Sequence, residues 1–448
     1  MQVQVTLEKI VALCKRRGLV YQSAEIYGGL NGVYDIGPTG VLIKQNIIQT
    51  WMDSIKQDDL EILFMEGSIL APEIVWQASE HLKNFQDPMV DCLICKHRFR
   101  ADEIDISAAC INCGNKKFTD VKAFNLMFKT HVGAATDSSK ENSVAYLRPE
   151  TAQSIFVNFK NVITSNRVKI PFGIAQAGKA FRNEITPKQF LFRVREFEQM
   201  ELEWFCKEED ALKFFKFWCD ARLEFYNKLG INKKNIVIRQ HTKEELSHYS
   251  SCTSDIEYNF PFGFKELEGI AYRGNFDLSQ HMKYSHKDLS VFDEDKKVSY
   301  IPHVVECSVG VGRLFLALLC DAYHEEIVQD NSQDADQGKN QDIRVVLKLN
   351  PLIAPYKAAF MPLSKQLNDK TYEIYKKIKN KYNCQFDDSG SIGKRYRRQD
   401  EIGTPLCFTY DFESEKDNCV TARDRDTMQQ ERISIDNIEQ YIKDKLKI

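Results

Sequence analysis

Long apolar runs, a secretion signal and a phosphate-binding loop are all missing from this sequence of 448 residues. One of its longest apolar runs, residues 314–320, is far shorter than the roughly 18 residues of a membrane-spanning helix. The start, MQVQVTLE, has no basic segment followed by an apolar one, so we expect no signal peptide. No Gly-x-x-x-x-Gly-Lys-Ser/Thr motif occurs, which argues against P-loop nucleotide chemistry.

A large excess of one charge is also lacking. The 61 Lys and Arg against 64 Asp and Glu give a net charge of −3, which excludes a generally basic protein that coats nucleic acid. The balance is uneven, because residues 343–448 hold 20 basic and 16 acidic side chains, a surplus of +4, and the rest carries −7. The C-terminal part is therefore the better candidate for contact with a polyanion.

The composition predicts a folded globular protein. Apolar residues make up 43% of the chain and charged residues 28%, which excludes a disordered, collagen-like or coiled-coil protein. The 13 cysteines are scattered apart from two close pairs, and a chain of this length can build a core without disulfides. We therefore expect free thiols in a reducing cytoplasm.

Hydrophobic periodicity predicts an α+β protein in two parts. Residues 329–342 contain no large apolar side chain and indicate a linker. Before the linker, helices are predicted over 7–17, 41–56, 211–229 and 312–323, and strands over 168–175, 197–205 and 304–307. After it come a strand over 343–349, a helix over 363–382, a Gly-rich turn at 389–393, a strand over 406–412 and a helix from Ile435. This alternation is typical of a compact α/β domain.

Arginines, acids and aromatic residues are concentrated between Gly178 and Glu203. The strand–turn–strand pattern of this stretch predicts antiparallel pairing, which brings five side chains toward one surface. They are Arg182, Glu184, Arg193, Phe197 and Glu201. Guanidinium groups suit phosphate, since they donate two parallel hydrogen bonds, and an aromatic ring offers a flat face to a base. The alternative is a salt-bridged hairpin packed on a core aromatic residue.

A second candidate segment joins a strand to an apolar helix near Gly310. The strand carries Glu306 and Ser308, and the helix begins near Gly312 with Arg313 in its first turn. Small residues at this junction let a ligand approach the backbone. The first helical turn suits an anion.

These two segments resemble motifs two and three of the class II aminoacyl-tRNA synthetases, and more narrowly those of the homodimeric type of glycyl-tRNA synthetase. Further segments that resemble this family run in family order along nearly the whole chain. They are residues 27–40, 84–92, 99–102, 124–130, 147–153, 266–273 and 354–357. The resemblance implies an antiparallel sheet flanked by helices in a catalytic domain, 1–328, with a Cys-rich insertion at about 88–120. It also implies that 343–448 form an α/β anticodon-binding domain behind the linker 329–342.

The resemblance further implies an activity: glycine is activated by ATP and Mg²⁺ to glycyl-adenylate and then transferred to tRNA(Gly) for protein synthesis. The implied catalytic residues are Arg182, Glu184 and Arg313. The implied ATP-binding residues are these three with Asn183, Phe192, Arg193, Val194, Arg195, Glu196, Phe197, Glu266, Leu267, Gly310, Val311 and Gly312. Phe197 should stack on adenine, Arg182 should hold the α-phosphate and Arg313 the γ-phosphate. Glu266 should act through Mg²⁺, which proteins bind through one or two carboxylates and the phosphates.

The glycine site that the resemblance implies is rich in acids. Its residues are Arg100, Glu150, Phe197, Glu201, Arg273, Glu306, Ser308 and Gly310. Glycine offers only its ammonium and its missing β-carbon for selection, so a tight ring of carboxylates can reject alanine by overlap without an editing domain. Taken singly, a glutamate is more often solvated than a ligand, and we expect Glu203 and Glu268 to be structural.

The two cysteine pairs, Cys92 with Cys95 and Cys110 with Cys113, are separated by fourteen residues. Two tight turns that present four thiolates would form a closed tetrahedral zinc site, structural rather than catalytic. The alternative is four reduced cysteines in a small insertion.

Two further features depend on the family for their interpretation. The Gly37-Pro38 pair before the helix resembles motif one, which implies a homodimer, although Pro before a helix is common. The basic residues at 394–398 and 423–425 would face the anticodon loop in such a domain, and are otherwise a solvated face.

Two other functions compete with this interpretation. Another class II synthetase of the same subgroup would share the ATP residues but not the combination of Glu150, Glu201, Glu306 and Ser308. A non-catalytic nucleic-acid-binding relative would have lost the phosphate-binding arginines, which this chain keeps.

Overall fold

The computed structural model describes residues 5–56, 59–133, 143–242, 245–246, 250–328 and 342–447. The helices are α1 (Leu7–Arg16), α2 (Pro38–Ile55), α3 (Glu73–Ala78), α4 (His81–Asn84), α5 (Ala152–Asn166), α6 (Glu208–Lys228), α7 (Phe276–Ser285), α8 (Val311–Ala322), α9 (Asn368–Ile378), α10 (Ile392–Ile402), α11 (Ser414–Asp417) and α12 (Ile438–Leu446). Among the described residues, no helix has both the length and the apolar character needed to cross a membrane.

The strands are β1 (Val20–Gln22), β2 (Tyr34–Ile36), β3 (Ile62–Phe64), β4 (Leu70–Pro72), β5 (Gln86–Asp91), β6 (Arg98–Arg100), β7 (Lys122–Asn125), β8 (Lys129–His131), β9 (Val144–Leu147), β10 (Phe172–Phe181), β11 (Glu196–Cys206), β12 (Ile236–Gln240), β13 (Cys252–Phe260), β14 (Gly263–Gly274), β15 (Val291–Asp293), β16 (Val298–Tyr300), β17 (His303–Gly310), β18 (Tyr323–Val328), β19 (Asp342–Leu347), β20 (Ala358–Pro362), β21 (Cys384–Phe386), β22 (Leu406–Tyr410), β23 (Cys419–Asp424) and β24 (Gln430–Ser434).

A seven-stranded sheet forms the centre of the N-terminal part, in the order β12-β13-β14-β17-β11-β10-β3. All neighbours are antiparallel except β3, which pairs in parallel with β10. The register sets Glu201 of β11 opposite Ser308 of β17 and Glu203 opposite Glu306. The predicted α+β fold, an antiparallel sheet flanked by helices, is confirmed.

The core of this part lies between the sheet and the helices α2, α6 and α8. Trp51 of α2, Trp204 of β11 and Trp218 of α6 are all fully buried there. Helix α8 is apolar on nearly every face, as in the run from Leu314 to Leu319, and is correspondingly buried. The tryptophans and α8 therefore fix the strands that carry the polar segments.

The C-terminal part has a second, smaller core around a five-stranded sheet of order β21-β20-β22-β23-β24. Phe360 of β20 and Phe408 of β22 stack at 5.2 Å between ring centroids, with Ile438 of α12 in the same cluster. The parallel strands β21, β20 and β22 are joined by helices, as in an α/β unit.

The two parts are joined differently from the sequence-based expectation. Residues 329–341 of the expected linker lie outside the described residues, but the strands on either side, β18 and β19, pair antiparallel. Leu347, Leu349 and Ile353 then pack into the N-terminal core. Apolar packing thus separates the parts after Ile353, whereas composition alone divides the chain at 329–342.

Several element boundaries also differ, for identifiable reasons. Strand β10 begins at Phe172 instead of residue 168, because Pro171 has no amide hydrogen for a ladder. Helix α2 begins at Pro38 instead of Val41, since proline is favoured at the first helical position. Sequence periodicity does not predict the β13–β14 hairpin, whose second strand is rich in Gly and Glu, residues depleted in strands.

Candidate active site

A cavity of about 300 Å³ opens on the seven-stranded sheet where β10, β11, β14 and β17 end near the loop from Phe85. Most of the ATP-site residues expected from the sequence line it. They are Arg182, Glu184, Phe192, Arg193, Val194, Phe197, Glu266, Leu267, Gly310, Gly312 and Arg313, and with them Arg100 and Ser308 of the expected glycine site. Segments far apart in the sequence therefore meet around one space.

Four of the expected ATP residues do not line this cavity. Asn183, Arg195 and Glu196 border another cavity, near Leu30. Arg195 Nη1 donates to the carbonyl of Asn31 at 2.6 Å. Val311 is buried in the core. The expectation that all four face the nucleotide does not match these positions.

Arg182 is held rigidly at the edge of the cavity. Its guanidinium lies 5.2 Å from the ring centroid of Phe85 and 5.2 Å from that of Phe197, and its Nε donates to the Pro149 carbonyl at 3.1 Å. Beside it, burial raises the pKa of Glu184, while Arg193, 3.9 Å away, opposes the shift. A cation fixed between two rings is ordered before any anion arrives.

Arg313 lies at the other side of the cavity, in the first turn of α8. Its guanidinium is 4.4 Å from the ring centroid of Phe192, and its Nη1 lies 3.2 Å from Glu266 Oε2. This ion pair lowers the pKa of Glu266, whose side chain is half exposed. Arg313 is thus partnered by a carboxylate that an incoming phosphate can replace.

Arg100 reaches the cavity from the small sheet β6-β5-β7. Its Nη1 lies 2.9 Å from Asp87 Oδ1, and its Nη2 donates to Asp102 Oδ2 at 2.7 Å. Burial raises the pKa of Asp87, with Arg100 as the main opposing influence. Both acids hold the guanidinium in one orientation.

Glu201 does not line the cavity itself: it is almost fully buried and is bonded to Gln199 and Ser308, which do line it. It accepts hydrogen bonds from both the backbone and the hydroxyl of Thr151, from Gln199 Nε2 at 2.9 Å and from Ser308 Oγ at 2.9 Å. Burial, with the nearby Glu306, raises the pKa of Glu201 to about 7. The carboxylate is rigid, and its charge is sensitive to its surroundings.

Arg273 does not line the cavity either. It is 2% exposed, its Nη1 lies 2.7 Å from Glu306 Oε2, and its Nε donates to Asp277 Oδ2 at 2.8 Å. Burial raises the pKa of Glu306 and Arg273 opposes that shift. Arg273 therefore supports Glu306.

Glu150 borders a separate small cavity near Trp76. It lies 3.2 Å from His81 Nε2 and accepts from Gln153 Nε2 at 3.1 Å. Burial alone would raise its pKa, but His81 brings it well below the usual range. Glu150 therefore does not line the main cavity, and this position does not match the direct contact with glycine that we expected for it.

The cavity also contains side chains to which the sequence gave no role. They are Phe85, Asp87, Leu126, Leu191 and Gln199. All but Leu191 and Gln199 lie in segments 84–92 and 124–130, which resemble the family without revealing their chemistry. Gln199, between Phe197 and Glu201 on β11, could have been found from strand alternation.

The four cysteines of the two pairs meet in one cluster. Their sulfurs all lie within 4.8 Å of one another, with Cys92 and Cys113 3.6 Å apart and Cys95 and Cys110 3.8 Å apart. A tetrahedral zinc site with bonds of about 2.3 Å sets its sulfurs about 3.8 Å apart. The donor set and spacing therefore fit zinc.

The basic residues of the C-terminal part are not a uniformly exposed surface. Arg395, Arg423 and Arg425 are buried. Arg423 Nη1 donates to Asp400 Oδ1 at 2.9 Å, and Arg425 Nη1 donates to the Leu349 carbonyl at 2.9 Å. These three arginines stabilise the fold, which corrects both the solvated and the RNA-facing interpretations of them.

Family models match both parts of this chain, and known relatives match it over its whole length. The family model "tRNA synthetase class II core domain (G, H, P, S and T)" matches residues 128–323, and "Anticodon binding domain" matches 357–445. Proteins named glycine–tRNA ligase from Caldanaerobacter subterraneus subsp. tengcongensis and Acetivibrio thermocellus are each 50% identical, over 100% and 99% of both chains. That of Geobacillus kaustophilus is 48% identical over 99% of both.

One solved structure has a similar fold. The crystal structure of prolyl-tRNA synthetase from Cryptosporidium parvum, complexed with L-proline and AMP, has a TM-score of 0.65. It covers 98% of this chain and 77% of its own, at 16% sequence identity. At that identity the similarity concerns the fold alone.

Proposed function

Since this chain belongs to the glycine–tRNA ligases, a family of class II aminoacyl-tRNA synthetases, we propose that its cavity holds ATP and glycine side by side. The enzyme uses ATP to attach glycine to tRNA(Gly) through a glycyl-adenylate.

The proposal is supported above all by the distribution of charge: two cations line the cavity and a buried carboxylate lies just behind its wall. Arg182 and Arg313 are the cations, and Glu201 is hydrogen-bonded to Ser308 of the lining. A nucleoside triphosphate suits the first region and an ammonium the second. The α-phosphate of ATP and the carboxylate of glycine then meet between them.

Adenylate formation needs alignment and charge neutralisation but no covalent nucleophile. The glycine carboxylate oxygen attacks the α-phosphorus, the bond to the pyrophosphate oxygen breaks, and pyrophosphate leaves. Arg182, fixed between two rings, stabilises the negative charge that grows on the α-phosphate. Arg313 exchanges Glu266 for the terminal phosphate, which leaves the Glu266 carboxylate free.

Magnesium fits this arrangement because Glu266 offers hard oxygen donors beside the phosphate region. When bound, the ion would neutralise phosphate charge. Phe197 provides one ring face for adenine, and Phe192 supports Arg313. Arg193 and Glu184 lie next to this region of the cavity.

We assign glycine selection to two buried acids. Glu201 and Glu306 attract the ammonium, and Ser308 and Gln199 fix Glu201 in place. A β-methyl group would lie against these immobile side chains, so alanine is rejected by overlap. Arg273 acts behind Glu306.

We propose a division of labour in which the part up to Ile353 catalyses and the residues after it bind the anticodon stem and loop. The match of 357–445 to an anticodon-binding model supports the second assignment. Because Arg395, Arg423 and Arg425 are buried, RNA contacts fall to the more exposed cations, such as Lys394.

We further propose a cytoplasmic homodimer with a structural zinc ion. Ile26 and Tyr27, both 87% exposed, lie in a short turn between β1 and β2, and such apolar exposure is typical of a surface that a second subunit covers. The zinc would be held by the Cys92, Cys95, Cys110 and Cys113 sulfurs.

The Arg182→Ala variant tests the phosphate assignment. We expect glycine-dependent exchange of labelled pyrophosphate into ATP to fall about a hundredfold to a thousandfold, since one preorganised charge donor is lost. Lys179→Ala, three residues earlier on β10 and paired outside the cavity with Glu196, is the control and should keep normal exchange. Near-normal exchange by Arg182→Ala would contradict the assignment.

A further inference from the structure

Glu203 differs from every other acid of the central sheet discussed above. It follows Glu201 by two residues on β11 and lies opposite Glu306 on β17. Its exposure is 0%, and within the described residues neither carboxyl oxygen meets a hydrogen-bond donor. A buried carboxylate without donors is strongly disfavoured, so this group requires an explanation.

Two neighbouring buried acids have the hydrogen-bond donors that an ionised carboxylate requires. Glu201 accepts from Thr151, Gln199 and Ser308. Glu268, equally buried on β14, accepts from Arg222 Nε at 2.7 Å and Tyr226 Oη at 2.5 Å. Both have donors that stabilise a negative charge, and Glu203 has none.

Three acids that face Glu203 also disfavour its ionisation: Glu306, Glu201 and Asp277. The cation Arg273 opposes them, but it already bonds Glu306 and Asp277. Burial, together with Glu306, raises the pKa of Glu203 well above the usual range. One more anion would remain uncompensated.

A hydrogen bond between two carboxyl groups requires that one carries the proton. The Glu203 side chain is within hydrogen-bonding reach of Glu306 and favours the ionised form of Glu306. Glu306, which is bonded by Arg273, is the better anion. Glu203 is then the acid that keeps the hydrogen.

We propose that Glu203 is a positioning residue that stays protonated and donates its hydrogen to Glu306, so that this carboxylate is oriented toward the ammonium of glycine. The inference rests on the proposed glycine site. Glu306 is then held from two sides, by Arg273 and by Glu203. The pocket keeps the charge that attracts an ammonium without an unpaired buried anion.

Two substitutions separate a proton donor from an anion. Glu203→Gln keeps shape and an N–H donor, and we expect its KM for glycine to stay within about threefold of the wild-type value. Glu203→Leu has no donor, and its KM for glycine should rise about tenfold or more while its KM for ATP stays within about twofold. An equal rise of the KM for glycine in both variants would mean that Glu203 acts as an anion. Unchanged KM values in both would mean that its side chain only fills space.

Glu268→Gln is the matched control, because it makes the same chemical change at an equally buried acid that is ion-paired with Arg222. We expect the melting temperature of Glu268→Gln to fall and that of Glu203→Gln to stay level or rise. A fall of similar size in both would contradict a neutral Glu203.

Infrared spectroscopy provides a readout that is independent of activity. Wild-type protein at neutral pH should show a carboxylic-acid C=O band that Glu203→Gln lacks. An unchanged band would overturn the proposal even if glycine-dependent exchange is normal. Conversely, if the wild-type protein shows the band and Glu203→Gln lacks it, but the wild-type protein has no glycine-dependent exchange, only the proposed glycine site is refuted.

Discussion

The side chains around the cavity are held by partners that lie far away in the sequence. Arg182 is fixed by Phe85, almost a hundred positions earlier, and Arg313 by Phe192. Preorganisation of this kind stabilises a transition state because the cations need not reorganise during the reaction. Their rigidity follows from aromatic contacts more than from ion pairs.

The raised pKa of Glu201 predicts how glycine binding depends on pH. With a pKa of about 7, the carboxyl gains a proton as the pH falls from 8 to 6, and a neutral carboxyl attracts an ammonium less. We expect the KM for glycine to rise over this interval, while the KM for ATP, measured in parallel, changes less. The Glu201→Gln variant cannot titrate at this position, so its KM for glycine should be higher than the wild-type value and independent of pH. A flat profile in the wild-type enzyme would show that Glu201 does not titrate there.

Sequence reasoning locates residues better than it assigns their orientation. The motifs around Arg182 and Ser308 predict that these residues lie close together, and both line one cavity. They could not reveal that Arg195 points away or that Arg273 lies behind Glu306, since both depend on contacts across strands. The proposed proton on Glu203 likewise depends on the absence, among the described residues, of a hydrogen-bond donor to its carboxyl group.

At the scale of elements, the Cys-rich insertion contacts the proposed ATP site through Glu103 as well as through Arg100, which lines the cavity. Glu103 follows β6, and it accepts from Lys188 Nζ at 2.9 Å and from Arg193 Nη1 at 3.0 Å. The cysteine cluster fixes the turns on either side of β6. Metal in the cluster should therefore stabilise the position of Arg193 from a distance.

Removal of metal by a chelator tests this connection. We expect the KM for ATP to rise about tenfold, equivalent to about 1.4 kcal/mol of lost coupling, with kcat little changed because the cluster does no chemistry. Glu103→Gln should raise the KM similarly while its zinc content, measured by atomic emission, stays unchanged. An unaltered KM for ATP in metal-free protein would refute the connection.

Secondary structure was predicted well where periodicity was strong and poorly where packing decides. Helices α1, α6 and α8 lie within a few residues of their predicted positions. The strand β14 was not predicted, because its Gly and Glu residues are favourable only with β13 and β17 as neighbours.

At the scale of the whole molecule, the segment after the expected linker belongs structurally to the preceding part. β19 pairs with β18, and Asn46 of α2 donates to the Ile353 carbonyl at 3.2 Å. Composition could identify a polar stretch but not that the chain returns to the same core behind it.

Two truncations test this packing. A chain that ends at residue 356 keeps Leu347, Leu349 and Ile353 and should retain pyrophosphate exchange while losing tRNA charging. A chain that ends at residue 328 loses all three, about 2 kcal/mol each. That loss is comparable to the total stability of many domains, about 5–15 kcal/mol. We expect it to unfold at a much lower temperature, and equal melting temperatures for the two would contradict the assigned boundary.

A structure of the enzyme with a non-hydrolysable analogue of glycyl-adenylate tests the central claim most directly. The account predicts the ammonium against Glu201 and Glu306, the phosphate mimic beside Arg182 and the adenine on Phe197. An analogue bound outside this cavity, or bound with its ammonium away from both acids, would contradict it.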